Sequence, residues 1–378
     1  MKRKLLTIAA AAACAFGGAA QAQISDGTVK IGVLNDMSGL YSDITGPGSL
    51  LAARMAVEDY VKATGSKLKI EVIGADHQNK PDVGSNIARQ WFDTDKVDMI
   101  ADVPTSSVGL AVAAIAREKG KLHVNAGSAT SDLTGKACNA NTIHWAYDTY
   151  MLANGTGKAI VKNGGNTWFF LTADYAFGHA LERDTEAVVT KNGGRVVGKV
   201  RTPFPTQDFS SFLLQAQASK AKIIGLANAG GDTTNSIKQA AEFGIVRGGQ
   251  NLAGLLVFLP DVHSLGLNVA QGLMLTETFY WDLNDQTRAW SRRFATANSG
   301  KMPSMVHAGV YSSVLHYLKA VESAKTDDGT KVAAKMKELP TDDILFGKGS
   351  VRADGRKIHP AYLFEVKKPS ESKGPYDY

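Results

Sequence analysis

Cysteine is nearly absent. The 378-residue sequence has two, Cys14 and Cys138. Cys14 falls in an N-terminal stretch that reads as an export signal, so the mature chain is expected to keep one. A single cysteine makes no intramolecular disulfide and supplies no cysteine cluster for zinc. Cys138, in Gly135-Lys136-Ala137-Cys138-Asn139, then reads as a small loop residue. Long apolar runs are missing as well. Beyond the N-terminus no segment reaches the ~18 uninterrupted apolar residues of a membrane-spanning helix. Charge of one sign does not gather either. The net charge is +6, and Lys2, Arg3 and Lys4 carry three of those charges. The other basic residues are spread out, without interleaved aromatics, which excludes nucleic acid as an expected partner.

Nucleotide and catalytic motifs are also missing. Gly39, Gly46 and Gly48 follow the first predicted strand but do not form G-x-G-x-x-G. "NGTGKAI", Asn154–Ile160, has the Gly157-Lys158 pair of a phosphate loop. Leu152 stands where that loop needs its first glycine, and Ala159 where it needs a hydroxyl. No H-E-x-x-H or G-x-S-x-G occurs, and the eight histidines are scattered. No metal, no cofactor and no enzymatic activity are expected.

What is present begins with the signal. MKRK is a basic n-region, LLTIAAAAACAF a short apolar h-region, and Ala20-Gln21-Ala22 a small-x-small cleavage site. The mature chain is expected to start near Gln23, in the periplasm. A lipid anchor on Cys14 is disfavoured, because Ala11-Ala12-Ala13 precede it without the usual leucine.

At about 150 residues per domain, this length implies two lobes. Strand-like and helix-like stretches alternate: strands at 29–35, 67–75, 97–101, 122–125, 166–171, 195–201, 222–227 and 252–256, with helices between them. That rhythm predicts an α/β fold with parallel sheets and helices on both faces. It breaks near Asn141–Asp148 and again near Leu275–Trp281. Two helices follow without strands, at 286–298 and 305–324, and are expected back on the first lobe. The predicted division is 23–145 plus about 279–343 for lobe 1, and 146–278 plus about 344–378 for lobe 2.

Small hydroxyl residues recur where first-lobe strands give way to helices. Thr105, Ser106 and Ser107 open one helix, and Ser128, Ala129 and Thr130 follow a strand. Each hydroxyl alone reads first as a helix cap. Together they place helix N-termini, with free N–H groups and partial positive charge, at the carboxyl edge of a sheet. Such ends hold a carboxylate without an arginine. Aromatics gather at the same edges and crossovers: Tyr41, Trp145, Tyr147, Tyr150, Tyr175, Phe177, and Phe279 to Trp281. They suggest walls for an apolar or aromatic guest. Asp148, Asp174, Asp232, Asp261 and Glu277 are candidates to pair a ligand ammonium. Asp232 serves equally as a cap.

The stretches "VKIGVLNDMSGLYSDITGPGSLLAARMAVEDY", "VPTSSVGLAVAAIAREKGKLHVNAGSATSDLT", "TADYAFGHAL" and "FEVK" resemble type I periplasmic solute-binding proteins of ABC transporters, in the leucine/isoleucine/valine-binding branch. The resemblance covers nearly the whole mature chain through order and spacing. It implies two Rossmann-like, doubly wound lobes joined by three crossovers and closing like a hinged trap. It implies a monomer that delivers a small carboxylate, an amino acid or aromatic acid, to an inner-membrane permease. The ligand carboxylate would meet Thr105, Ser106 and Ser128 to Thr130, with Tyr175 or Phe177 as cover. Asp232 and Asp261 fall out of register with the family's ammonium partner, which leans toward aromatic carboxylates. Tyr41 would reach the ligand from the lip at Asn35–Ser49. Two other functions fit the same lobes: presenting ligand to a membrane receptor, and hydrolysis, for which no nucleophile elbow exists.

Overall fold

The computed structural model describes residues 24–378. The export signal and Cys14 lie outside the described residues. The first sheet is β1 (Val29–Asn35), β2 (Ile70–Asp76), β3 (Met99–Asp102), β4 (Leu122–Asn125) and β5 (Thr142–His144). Its order is β2-β1-β3-β4-β5, parallel throughout. Helices α1 (Gly46–Thr64), α2 (Pro81–Asp93) and α3 (Ser106–Glu118) make the crossovers. All residues of β3 and β4 are buried, as a sheet covered on both faces requires. Pro81 sits at the start of α2, where a missing N–H costs nothing.

The chain leaves the first sheet at Trp145–Asp148 and enters a helix interrupted in its middle. There α4 (Thr149–Leu152) and α5 (Lys158–Lys162) flank a π-turn, Ala153–Gly157. The second sheet is β6 (Thr167–Ala173), β7 (Arg195–Thr202), β8 (Ile223–Ala227) and β9 (Asn251–Gly254). Its order β7-β6-β8-β9, again parallel, repeats the winding of the first. Helices α6 (Ala176–Lys191), α7 (Ser210–Ala218) and α8 (Gly231–Glu242) connect its strands. The short α9 (Leu259–Leu265) and α10 (Leu267–Ala270) lead to β10 (Met274–Glu277).

The strandless stretch that follows forms α11 (Asp285–Ala297), α12 (Met305–Ala324) and α13 (Gly329–Glu338). They pack beside the first sheet and α1. The Tyr60 hydroxyl on α1 donates to Leu318 O on α12 at 3.3 Å. Trp145 Nε1 donates to Ser312 Oγ at 2.9 Å. Ser304 caps α12 by accepting from the N–H groups of Val306 and His307. An antiparallel group, β11 (Thr341–Asp343), β12 (Gly347–Val351) and β13 (Lys357–Ile358), lies beside β5 through a bridge between His144 and Arg356. The last strand, β14 (Tyr362–Glu365), pairs instead with β10. One hydrophobic cluster joins Val33 and Tyr41 of the first unit to Phe170 and Phe177 of the second. The packed core therefore runs across the space between the sheets.

Candidate functional site

At the end of β1, Asn35 organises the lip. Its Nδ2 donates to Asp102 Oδ2 at 2.6 Å, and its Oδ1 accepts from Gly46 N at 3.0 Å. Asp36 then accepts from Gly39 N, Tyr41 N and Asn79 Nδ2 at 2.7–2.9 Å. These bonds fold residues 36–45 into a fixed loop that carries Tyr41.

At the end of β3 the backbone turns left-handed at two successive residues, Asp102 (φ 74°) and Val103 (φ 62°). A β-branched residue there is a genuine outlier, and such conformations cost about 1–3 kcal/mol each. Neighbours hold the turn. Val103 N donates to Leu34 O at 3.0 Å, and Ser128 Oγ donates to Val103 O. The turn sends the chain into α3 at Thr105–Ser106. Thr105 Oγ1 bonds Asn79 Oδ1, Ser106 Oγ accepts from Thr130 N at 3.2 Å, and Thr130 Oγ1 accepts from Asp132 N at 3.3 Å. Thr105, Ser106, Ser128 and Thr130 are all fully buried. The structure thus brings them together with Ala129. Their hydroxyls brace one another and the backbone, and Ala129, Pro104 and Gly127 form the wall itself. Ser107 sits farther along α3, half-buried.

The opposing wall comes from the carboxyl ends of the second sheet, where an open α/β sheet receives ligands. Tyr175 and Phe177 follow β6, Phe204 follows β7, Gly230 follows β8, and Leu256 and Phe258 follow β9. The Tyr41 and Tyr175 hydroxyls meet across the cleft in a short hydrogen bond. Phe204 stacks on Tyr175 at 4.2 Å between ring centroids and lies 5.9 Å from Tyr41. Tyr147 sets its edge to Phe258 at 5.2 Å and donates its hydroxyl to Gly127 O at 2.7 Å. Gly230, at φ 55° and ψ −130°, takes a conformation open only to glycine. A Cβ there would stand 2.6 Å from Leu40 O and 2.9 Å from the Tyr41 ring. The first-lobe lip therefore seats directly on the backbone of the second. Between these walls lies a cavity of about 10 Å³, far below the 300–1,000 Å³ of a ligand pocket. No small molecule fits between the walls in this arrangement.

Asp232, at the start of α8, is buried; Oδ1 accepts from Thr206 N at 3.1 Å and Oδ2 has no partner. Burial pushes its carboxyl up to about 7, against the Thr206 hydrogen bond. It raises the already burial-raised Tyr41 and Tyr175 hydroxyls further, which places it behind that pair. The other acids are committed elsewhere. Asp261 caps α9 through Phe258 N at 2.8 Å. Asp148 pairs with Arg356 at 2.6 Å, and Asp174 is paired with His179 at the surface. Glu277 is buried, and burial raises its carboxyl well above the usual range.

Tyr150 departs from the expected cluster. It sits in the first turn of α4, 64% exposed, and lines a separate groove at the crossovers. Tyr147 ends the crossover and points in, and the helix start three residues later turns Tyr150 out. Phe204 was missed by sequence reasoning. Its signal was "TPFPT" directly after a strand, the same position that marked Tyr175. Cys138 is exposed and free, and Sγ approaches Asp354 O at 3.4 Å. Among the described residues, no three His, Cys, Asp or Glu gather as metal ligands, and no helix is long and apolar enough to cross a membrane.

The periplasmic binding protein family model matches residues 28–374, and the chain belongs to that family. Leu/Ile/Val-binding protein homolog 6 of Brucella abortus is 24% identical, over 96% of this chain and 94% of its own. A periplasmic binding protein structure from Burkholderia mallei is 52% identical, with TM-score 0.90 and 93% of each chain covered. A branched chain amino acid ABC transporter periplasmic ligand-binding protein from Burkholderia xenovorans is 40% identical, with TM-score 0.80 and 93% of each chain covered. A Rhodopseudomonas palustris solute-binding protein in complex with benzoate shares the fold at 22% identity, with TM-score 0.78, covering 90% of this chain and 94% of its own.

Proposed function

We propose that this protein captures a small carboxylate between its lobes in the periplasm and delivers it to an ABC permease in the inner membrane. One observation carries the reading. Pro104, just before α3, and Gly127 and Ala129 face Tyr41, Tyr147, Tyr175 and Phe177 across a cleft whose lining contains no Lys or Arg. Free N–H groups at the helix end offer the carboxylate its positive field. The rings of Tyr147, Tyr175, Phe177 and Phe204 enclose an apolar or aromatic body. Thr105, Ser106, Ser128 and Thr130 keep the cradle in shape, Ala129 forms part of its floor, and Tyr41 closes it. Asp232 offers its free oxygen to a ligand ammonium or hydroxyl. Contacts made to both lobes at once would drive closure.

Relatives point to the same ligand class. The B. xenovorans protein is named for branched-chain amino acid transport, and R. palustris structures of this fold hold benzoate and 4-hydroxybenzoate. We read the chain as a monomer exported by its cleaved signal, binding without chemistry. We place the third crossing at about 359–361, where the strands beside β5 end and the pairing of β14 with β10 begins. Calorimetry on protein stripped of carried-over ligand tests the reading against leucine, phenylalanine, benzoate and 4-hydroxybenzoate. Saturable one-to-one binding of one class is expected. No binding to any small carboxylate would overturn it.

A further inference from the structure

At the crossovers lies a second groove, of about 770 Å³. Its volume falls in the range of small-molecule sites. Residues of both lobes line it, among them Ser131 and Thr134 from one and Asn154 and Thr276 from the other. Exposed apolar side chains flank it: Tyr150 at 64%, Leu363 at 47% and Ile358 at 44% exposure. Large apolar groups this exposed and this close together mark an interaction site rather than ordinary surface.

Arg356 forms part of the groove wall and is only 5% exposed. Its Nε donates to Asp148 Oδ2, and its Nη1 donates to the carbonyls of His144, Trp145 and Lys357. Among the described residues its Nη2 donates to none. That donor is left over for a guest, and the planar fork suits carboxylate, sulfonate and phosphate oxygens. Asp148 is the one acid in the wall, and both its oxygens are occupied, by Arg356 Nε and Met151 N. Arg352 and Lys357 line the same wall, each beside its own carboxylate, Asp354 and Asp343. The wall thus pairs one uncommitted guanidinium nitrogen with an apolar rim.

We propose that this crossover-side groove is a second binding site, for a small organic anion with an apolar body. The anionic group meets Arg356 Nη2, and the body lies against Tyr150 and Leu363. It shares no lining residue with the carboxylate cleft.

Fluorescence titration of the intact mature protein with 8-anilinonaphthalene-1-sulfonate tests it, beside N-phenyl-1-naphthylamine, which lacks the sulfonate. The sulfonate is expected to saturate at one per chain, and the neutral amine to bind at least ten-fold more weakly. Leu363→Glu and Tyr150→Glu put like charge on exposed positions of the rim. Each is expected to weaken sulfonate binding at least ten-fold with the melting temperature unchanged. The proposal is overturned by the absence of saturable sulfonate binding, by equal affinity for the neutral amine, or by wild-type affinity in both variants.

Discussion

The hydroxyl of Tyr41, on the lip after β1, bonds the hydroxyl of Tyr175, on the turn after β6. With the seat of Leu40 on Gly230 and Gly231, this contact ties the two sheets' carboxyl edges together, and Phe204 stacks beside it. A hydrogen bond of this kind contributes about 0.5–1.5 kcal/mol net, and here the whole amount belongs to the closed form. Tyr175→Phe should shift the ligand-free protein toward open lobes. Small-angle scattering should show a larger radius of gyration than wild type, and identical curves would remove the tyrosine pair from the closing equilibrium.

Gly230→Ala adds a methyl 2.6 Å from Leu40 O at a φ of 55°. Both the backbone strain and the clash act at the seat of the lip. Ligand affinity is expected to fall at least ten-fold. Gly193→Ala is the control: its φ is 86° and a Cβ there meets nothing within 4 Å. It shares the backbone strain but not the clash, so it should cost stability and leave affinity alone. Equal affinity losses in the two variants would mean that strain, not obstruction of the lip, is responsible.

Ser128→Ala leaves Val103 O without its donor, next to two left-handed residues. Losing a buried partner costs about 1–3 kcal/mol. The strained turn should relax and the α3 N-terminus should shift. A lower melting temperature together with weaker ligand binding is expected in thermal melts and calorimetry. Lost stability with intact affinity would show that the turn does not set the cradle.

Asp232→Asn separates two kinds of guest. It should weaken a ligand that places an ammonium at this acid and spare an aromatic acid without one. The same variant carries a pH signature. Asp232 titrates near 7 in the fold, above the usual 3.8. Its stabilising effect is therefore complete below about pH 4 and is lost as pH rises toward 7. The melting temperature of the variant should gain on wild type across that window. A constant difference would contradict the buried, unpaired carboxyl.

His123 and His144 give the opposite sign. Burial lowers them to about 3 and about 4, and neither ring nitrogen of His123 has a partner. Their neutral rings stabilise the fold fully above about 6.5, and this is lost as pH falls toward 4. His123→Leu should gain on wild type in melts from about pH 6.5 to 4, and a flat difference over that range would count against it.

The alternation of elements was legible because apolar strands and glycine-punctuated turns differ in local pattern. The crossover after β5 and the return of α11 and α12 showed as breaks in that rhythm. The hydroxyls at 105–106 and 128–130 were legible by position, but their roles were not. Sequence marks a strand end. It does not show that Ser128 reaches back to Val103 O, a bond set by the left-handed turn between them. Tyr150 was misplaced because three residues along a helix start reverse which way a side chain faces. Gly230 was invisible because its importance lies in Leu40, nearly two hundred residues away. The expected boundary at about 343/344 groups β12 and β13 with the last strand and β11 with the helices before it, since turn signals alone do not say which sheet a hairpin joins.

The pairing of β14 with β10 closes a path in which the chain threads back and forth between its halves. Neither half is an unbroken stretch of polypeptide. A fragment ending before residue 362 would leave β10 with a bare edge, and one ending near residue 145 would lack the helices that cover α1. Cutting the gene at the waist would therefore yield no autonomous module, and grafting one half onto another scaffold would need at least two splice points.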